Sequence, residues 1–136
     1  MINEWCILDK LELSKVPSKP GAYMISIFGN DGQPIKISRF IGVDTEGIID
    51  IGESTNLRKR LSDFKRNADK RCGGHMAGWR FNFLKLNEKL WTLKFSYEVC
   101  ATKEEAYKKE YAMMKEYVDK HKELPPLNYK YNWSEG

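Results

Sequence analysis

Glu110, Arg60, Asp50, Tyr23 and Asn128 are the side chains whose types and positions suggest chemistry. Glu110 lies four residues after Ala106 and three before Met113, inside the stripe that a helix would turn to its core. A carboxylate there is costly unless a cation or hydrogen-bond donors meet it. An ion pair with an arginine or lysine at the core edge satisfies it, and so does a divalent metal ion. Arg60 falls three after Leu57 and four before Phe64, on the border of another inward stripe. It can snorkel to water, or its planar guanidinium can hold two phosphate oxygens. The helix start around Glu53–Asn56 adds free N–H groups and a positive dipole end that also favour an anion. Asp50 interrupts the β-branched run Ile48-Ile49-Ile51 just before Gly52. Tyr23 follows Gly21 at the head of a strand, where a packed ring with its hydroxyl reaching water is ordinary. Asn128 follows Pro125-Pro126, where a turn is its ordinary job.

The elements that must position these residues can be read from periodicity. Ala22 to Phe28 alternates with strand spacing, and the scarcity of polar residues on either face predicts cover on both sides. Gly29-Asn30-Asp31-Gly32 is a turn. A strand is expected over Ile35 to Val43, a turn over Asp44–Gly47 and a further strand over Ile48 to Gly52. Ser54 or Thr55 can cap a helix over about Asn56 to Lys70, with Leu57, Leu61, Phe64 and Ala68 facing inward. Cys72-Gly73-Gly74 ends it. His75 to Leu86 supports either a short helix or an irregular element. Leu90 to Cys100 reads as a strand. Thr102 then opens a helix to about Lys120, with Glu105 completing a capping box, and Pro125-Pro126 closes that region. The order of strands, helix, strand and helix is α+β. A single domain is expected over 1–136, with residues 1–16 as an N-terminal extension and 17–131 as the core.

Charge is local rather than global. The net charge is only +4, yet Arg58 to Arg71 holds seven Lys or Arg against Asp63 and Asp69. Such a stripe suits an anionic partner. Cys6, Cys72 and Cys100 are odd in number and widely spaced, which argues against a disulfide scaffold and fits a reducing compartment. Cys72 and His75 make half of a zinc clip, without a second pair at helpful spacing. No long apolar stretch or signal-peptide pattern occurs, so a cytoplasmic protein with no membrane partner is expected.

Gly21-Ala22-Tyr23, then Asp50-Ile51-Gly52, Asn56-Leu57-Arg58-Lys59-Arg60-Leu61, Glu110 within a helix and Pro125-Pro126-Leu127-Asn128 occur in an order that resembles the GIY-YIG nuclease superfamily. The resemblance spans roughly residues 17 to 131. It implies a small three-stranded antiparallel sheet flanked by helices, here with an extra hairpin-like insertion between the first two motif strands. It also implies hydrolysis of a DNA phosphodiester with one divalent ion, Mg2+ or Mn2+. By the same resemblance Tyr23 would activate or orient the attacking water, and Arg60 would hold the scissile phosphate. Glu110 would bind the metal, and Asn128 would hold the local structure or the phosphate end of the site.

The chain departs from the family pattern twice. Asp50 stands where a tyrosine is usual, replacing a neutral donor with an anion that only accepts. It can join Glu110 in holding the metal, pair with a basic side chain, or mark a site that binds DNA without cutting it. Phe64 stands where many members carry a His or Lys one helical turn after the arginine. His75 is the substitute nearest in sequence, able to polarise Tyr23 or contact phosphate, or else to serve as a structural hydrogen-bonded histidine. Arg58, Lys59, Lys65, Arg66 and Arg80 are the candidate DNA contacts. With no appended DNA-reading or second catalytic domain in these residues, a stand-alone endonuclease of restriction-like, phage or mobile-element type is expected. A non-catalytic nucleic-acid-binding adaptor of the same fold is the alternative. A homodimer would allow double-strand cutting, although nothing in the sequence signals one directly.

Overall fold

The computed structural model describes residues 4–70 and 73–128. Six strands and four helices follow in chain order: β1 (Cys6–Ile7), α1 (Lys10–Leu13), β2 (Gly21–Phe28), β3 (Ile37–Ser38), β4 (Val43–Asp44), β5 (Ile48–Ser54), α2 (Leu57–Lys70), α3 (Met76–Phe83), β6 (Thr92–Val99) and α4 (Lys103–His121). The main sheet has the order β1-β6-β2-β5, and all its pairings are antiparallel. The α+β class holds, with one difference. The three strands β6, β2 and β5 are joined by a fourth, the two-residue β1, because the N-terminal segment covers the edge that β6 would otherwise expose. That segment packs into the main core through Leu8, Leu13 and Val16.

β2 is the central strand, and all eight of its residues are buried. Tyr23, Ile25 and Ile27 face Leu57, Leu61 and Phe64 of α2 and Ala77 and Phe81 of α3. Ala22 and Met24 face Met113, Met114 and Tyr117 of α4. Helices on both faces explain why the strand carries apolar residues on both.

The expected strand over 35–43 is instead the hairpin β3–β4, whose backbone reverses through Gly42 at φ +71°. Only glycine enters that region at little cost. The hairpin docks on the end of α4. The Arg39 guanidinium pairs with Glu123, and the Ile41 amide donates to the His121 carbonyl. The cap of α2 is Asn56 rather than Ser54 or Thr55: its Oδ1 accepts from the Lys59 amide at 3.1 Å, while Ser54 Oγ accepts from the Asn56 amide at 3.0 Å. The ambiguous stretch 75–86 is resolved as α3, followed by a 3-10 turn at Leu86–Glu88. In the capping box of α4, Thr102 Oγ1 accepts from the Glu105 amide, and Glu105 accepts in return from Ala101 rather than from Thr102.

A bulge in β5 bears directly on the site. Asp50 pairs with Ile25, but Ile48 pairs with Ser26, which leaves Ile49 as the extra residue. Ile49 therefore joins the core beneath α2, while Ile48 and Ile51 stay beneath α4. Asp50 is left on the Tyr23 side of the sheet. Bulges commonly re-aim a side chain in this way near functional sites.

Candidate active site

A cleft of about 500 Å³ opens where the start of β2 and the exit of β5 meet the starts of α2 and α3, the middle of α4 and the segment after α4. Tyr23, Asp50, Arg60, His75, Glu110 and Asn128 all line it. They come from separate elements, so the convergence is a property of the fold.

Tyr23 is the floor of the cleft and is 2% exposed. It lies opposite Gly52 in the sheet, and a Cβ at Gly52 would overlap its hydroxyl and ring. The glycine of the second motif is thus the space that the first motif's phenol occupies. Gly21 is equally constrained, since a Cβ there would overlap the Glu98 carbonyl and the Leu57 side chain.

The Tyr23 hydroxyl lies 2.9 Å from His75 Nε2. His75 caps α3, with Nδ1 accepting from the Gly78 amide at 3.3 Å. Its ring stands edge-on to Phe64 at 5.1 Å between centroids. The phenylalanine at the position where a basic residue was expected is therefore the wall that supports the imidazole. Burial, followed by the charge of Arg60, depresses the His75 pKa to about 3, so the ring is neutral at physiological pH.

Asp50 Oδ2 is 3.9 Å from His75 Nε2, is buried, and meets no hydrogen-bond donor among the described residues. Burial pushes the Asp50 pKa to about 8; Arg60 and Arg80 oppose the rise and Glu110 adds to it. In the ligand-free protein Asp50 is therefore largely a neutral acid at pH 7. Tyr23 is held well above the usual phenol range by burial and then by Asp50, with Arg60 pulling the other way.

Arg60 is half-buried and donates from Nη1 to the Gly74 carbonyl at 2.9 Å, which anchors one arm of the guanidinium at the cleft mouth. Glu110 enters from α4, half-exposed. Asn128 clamps the sheet edge: its Oδ1 accepts from the Ile51 amide at 3.0 Å, and its Nδ2 donates to the Ile51 carbonyl at 2.9 Å. It acts as a one-residue extension of the sheet and supports the strand that carries Asp50.

The remaining basic candidates lie elsewhere. Arg58 donates to the Val16 and Ser14 carbonyls and ties α2 to the N-terminal segment. Lys59 and Arg66 pair with Asp63, and Lys65 with Asp69, on other faces of α2. Arg58, Lys65 and Arg66 line a separate groove against α1, together with Lys10 and Lys70. Arg80 donates to the Leu127 carbonyl at 2.7 Å and fixes the segment bearing Asn128.

Three cleft residues escaped the sequence reading. Tyr107 and Tyr111 of α4 flank Glu110 in the sequence, are half-exposed and line the cleft beside it. Glu53 contributes a buried Oε2 that meets no donor among the described residues. For the tyrosines, spacing around Glu110 was the available signal; for Glu53 there was none. Cys72, which with His75 makes the half of a zinc clip, lies outside the described residues.

A metal ion implied by the resemblance can be tested against these side chains. No group of three or more His, Cys, Asp or Glu side chains that could enclose an ion exists among the described residues. The buried oxygens of Asp50 and Glu53, together with the Glu110 carboxylate, line one cleft. That donor set fits a hard cation bound by one or two carboxylates and retaining several waters.

No curated protein and no solved structure matches the chain. A family model does: the GIY-YIG catalytic domain matches residues 44–123, more than half of the sequence, including Asp50, Arg60, His75 and Glu110. No described helix is long and apolar enough to cross a membrane. The matched span and the α+β sheet agree, and the chain belongs to the GIY-YIG family of nucleases.

Proposed function

We propose that this protein is a divalent-metal-dependent DNA endonuclease of restriction-like, phage or mobile-element type. The observation that carries the reading is the convergence of Tyr23, Arg60 and Glu110, distant in sequence, on one polar cleft. Hydrolysis of a phosphodiester gathers negative charge on the non-bridging and leaving oxygens. Charge and donors placed there beforehand lower the barrier, because no reorganisation is needed during reaction.

Arg60, anchored by Gly74, presents the rest of its guanidinium to the scissile phosphate. Glu110 would hold Mg2+ or Mn2+, with Asp50 as a second oxygen donor. When bound, such an ion supplies Lewis-acid stabilisation to the phosphoryl oxygens. Held neutral, Asp50 offers one O–H donor, as the phenol it replaces would; as a metal ligand it would give up that proton. Tyr23, a neutral phenol at the floor, orients the attacking water. Asn128 keeps β5 in place beneath the reaction. Lys59, Lys65 and Arg66 are on exposed or partly exposed faces, and their ion pairs can be exchanged for phosphates of flanking DNA.

A plasmid-nicking assay with Mg2+ or Mn2+ tests the reading. The wild-type protein should cut. Glu110→Ala and Arg60→Ala should each lose roughly a hundredfold or more of activity while keeping the native circular dichroism spectrum. DNA binding with no cleavage under either ion would assign the chain to the adaptor class instead.

A further inference from the structure

The contact between His75 and Tyr23 has a direction that the geometry fixes. The Gly78 amide is a donor and cannot accept, so the His75 Nδ1 that it meets at 3.3 Å must carry a lone pair rather than a proton. A neutral imidazole has one N–H, which leaves the proton on Nε2. A second proton on Nδ1 would break the cap, place a cation at the N-terminal end of α3 and set it beside Arg60. Nε2 is 2.9 Å from the Tyr23 hydroxyl, so the ring donates and the phenol oxygen accepts.

We propose that His75 is a positioning residue for the nuclease reaction: a permanent hydrogen-bond donor to Tyr23, locked in its Nε2–H tautomer by the cap of α3. This inference rests on the nuclease reading for its catalytic meaning but not for the tautomer. One lone pair of the phenol is occupied from the His75 side, so the phenol's own proton points elsewhere, and the Arg60 guanidinium is the other donor that acts on that oxygen. His75 therefore does not take the Tyr23 proton. As charge builds on the phenol oxygen while it orients the nucleophile, the Nε2–H bond strengthens and steadies it. The charged or titratable groups that act on this pair are Asp50 from β5, Arg60 and Asp63 from α2, and Glu110 from α4. Turning the ring over would present Cδ2 to the Gly78 amide and Cε1 to the Tyr23 hydroxyl and so lose both hydrogen bonds, while Phe64 stands edge-on to the ring.

Nitrogen-15 spectra of the ligand-free protein read the tautomer without substrate. The proposal expects an unprotonated Nδ1 and a protonated Nε2 for His75 throughout pH 5–8. An Nδ1–H tautomer, or an imidazolium at neutral pH, overturns it. Two variants read the consequence. His75→Asn keeps an oxygen for the Gly78 amide but is too short to reach Tyr23. It should fold stably and lose roughly tenfold to a hundredfold in kcat with KM little changed. His75→Gln can place an N–H near Nε2, and it should recover most of that kcat even where its cap is weaker. Full activity in His75→Asn, or equal loss in the two variants when both are folded, overturns the proposal. A wild-type protein that never cuts would overturn the nuclease reading and with it the catalytic role, leaving the tautomer to be decided by the spectra.

Discussion

Asp44 and Asp50 are two buried aspartates at either end of the same short stretch of chain, each 3% exposed, yet their surroundings are opposite. Asp44 accepts from the Glu46 amide at 2.8 Å, the Ile48 amide at 3.0 Å and the Tyr117 hydroxyl at 2.9 Å. It closes the turn into β5 and fastens the β3–β4 hairpin to α4. Asp50 has an oxygen that no described donor meets, and its pKa rises to about 8. Burial alone therefore does not distinguish a structural carboxylate from a functional one. The supply of donors does: a satisfied carboxylate stabilises the fold, whereas an unsatisfied one is retained at a cost and awaits a partner.

The same substitution at both positions should have opposite signs. Asp44→Asn turns one of two accepting oxygens into a donor that faces a donor, whichever way the amide is turned. It should destabilise by about 3 kcal/mol, which would appear as a fall in Tm of about 10 °C in thermal denaturation. A Tm unchanged at Asp44→Asn would break the comparison.

Asp50→Asn should stabilise the protein at pH 8 in the absence of divalent ions, by about 1–3 kcal/mol. The folded state keeps Asp50 protonated up to about pH 8, whereas the unfolded chain ionises from its ordinary value of 3.8. Between those values the unfolded state binds fewer protons, so stability is lost as pH rises, and the variant escapes that loss. Its advantage should vanish near pH 4. His75 acts in the other direction. Its pKa of about 3 lies below the ordinary 6.5, so its contribution is present above pH 6.5 and is lost as pH falls toward 3. The same Asp50→Asn protein should bind Mn2+ more weakly in calorimetry if Asp50 is a ligand; unchanged affinity would remove that role.

Asp63 is the intermediate case, a buried carboxylate met by Lys59 and Arg66 from the solvent side. Lys59 is 72% exposed, so Lys59→Ala should change stability by less than about 0.5 kcal/mol. If Lys59 contacts DNA, the variant should also flatten the salt dependence of binding by about one unit of slope.

The sequence was most informative where a local rule had been broken. Glu110 interrupts an apolar helical stripe, and Asp50 interrupts a β-branched strand; both lie in the cleft. Arg60 was separated from Arg58 and Lys59 by helical phase alone, and among the described residues of the basic stripe it is the one that lines the cleft. Reasoning from charge was less discriminating. Arg58 and Arg80 carry the same guanidinium as Arg60 but are engaged by backbone carbonyls that hold separate segments together. The hairpin at 37–44 was read partly as one strand, because apolar content does not reveal the reversal that Gly42 permits.

Side-chain periodicity belongs to neighbouring residues, so the sequence by itself determined the inward faces of α2 and α4, the two-sided burial of β2 and the polar residues that violate them. The tertiary structure decided which of those residues meet. Tyr23 and His75 are separated by 52 positions, and Asn128 and Ile51 by 77. It also decided that Asp44 would find donors while Asp50 would not. Those outcomes depend on strand register, a one-residue bulge and the packing of helices across a sheet, which couple distant parts of the chain and leave no local trace.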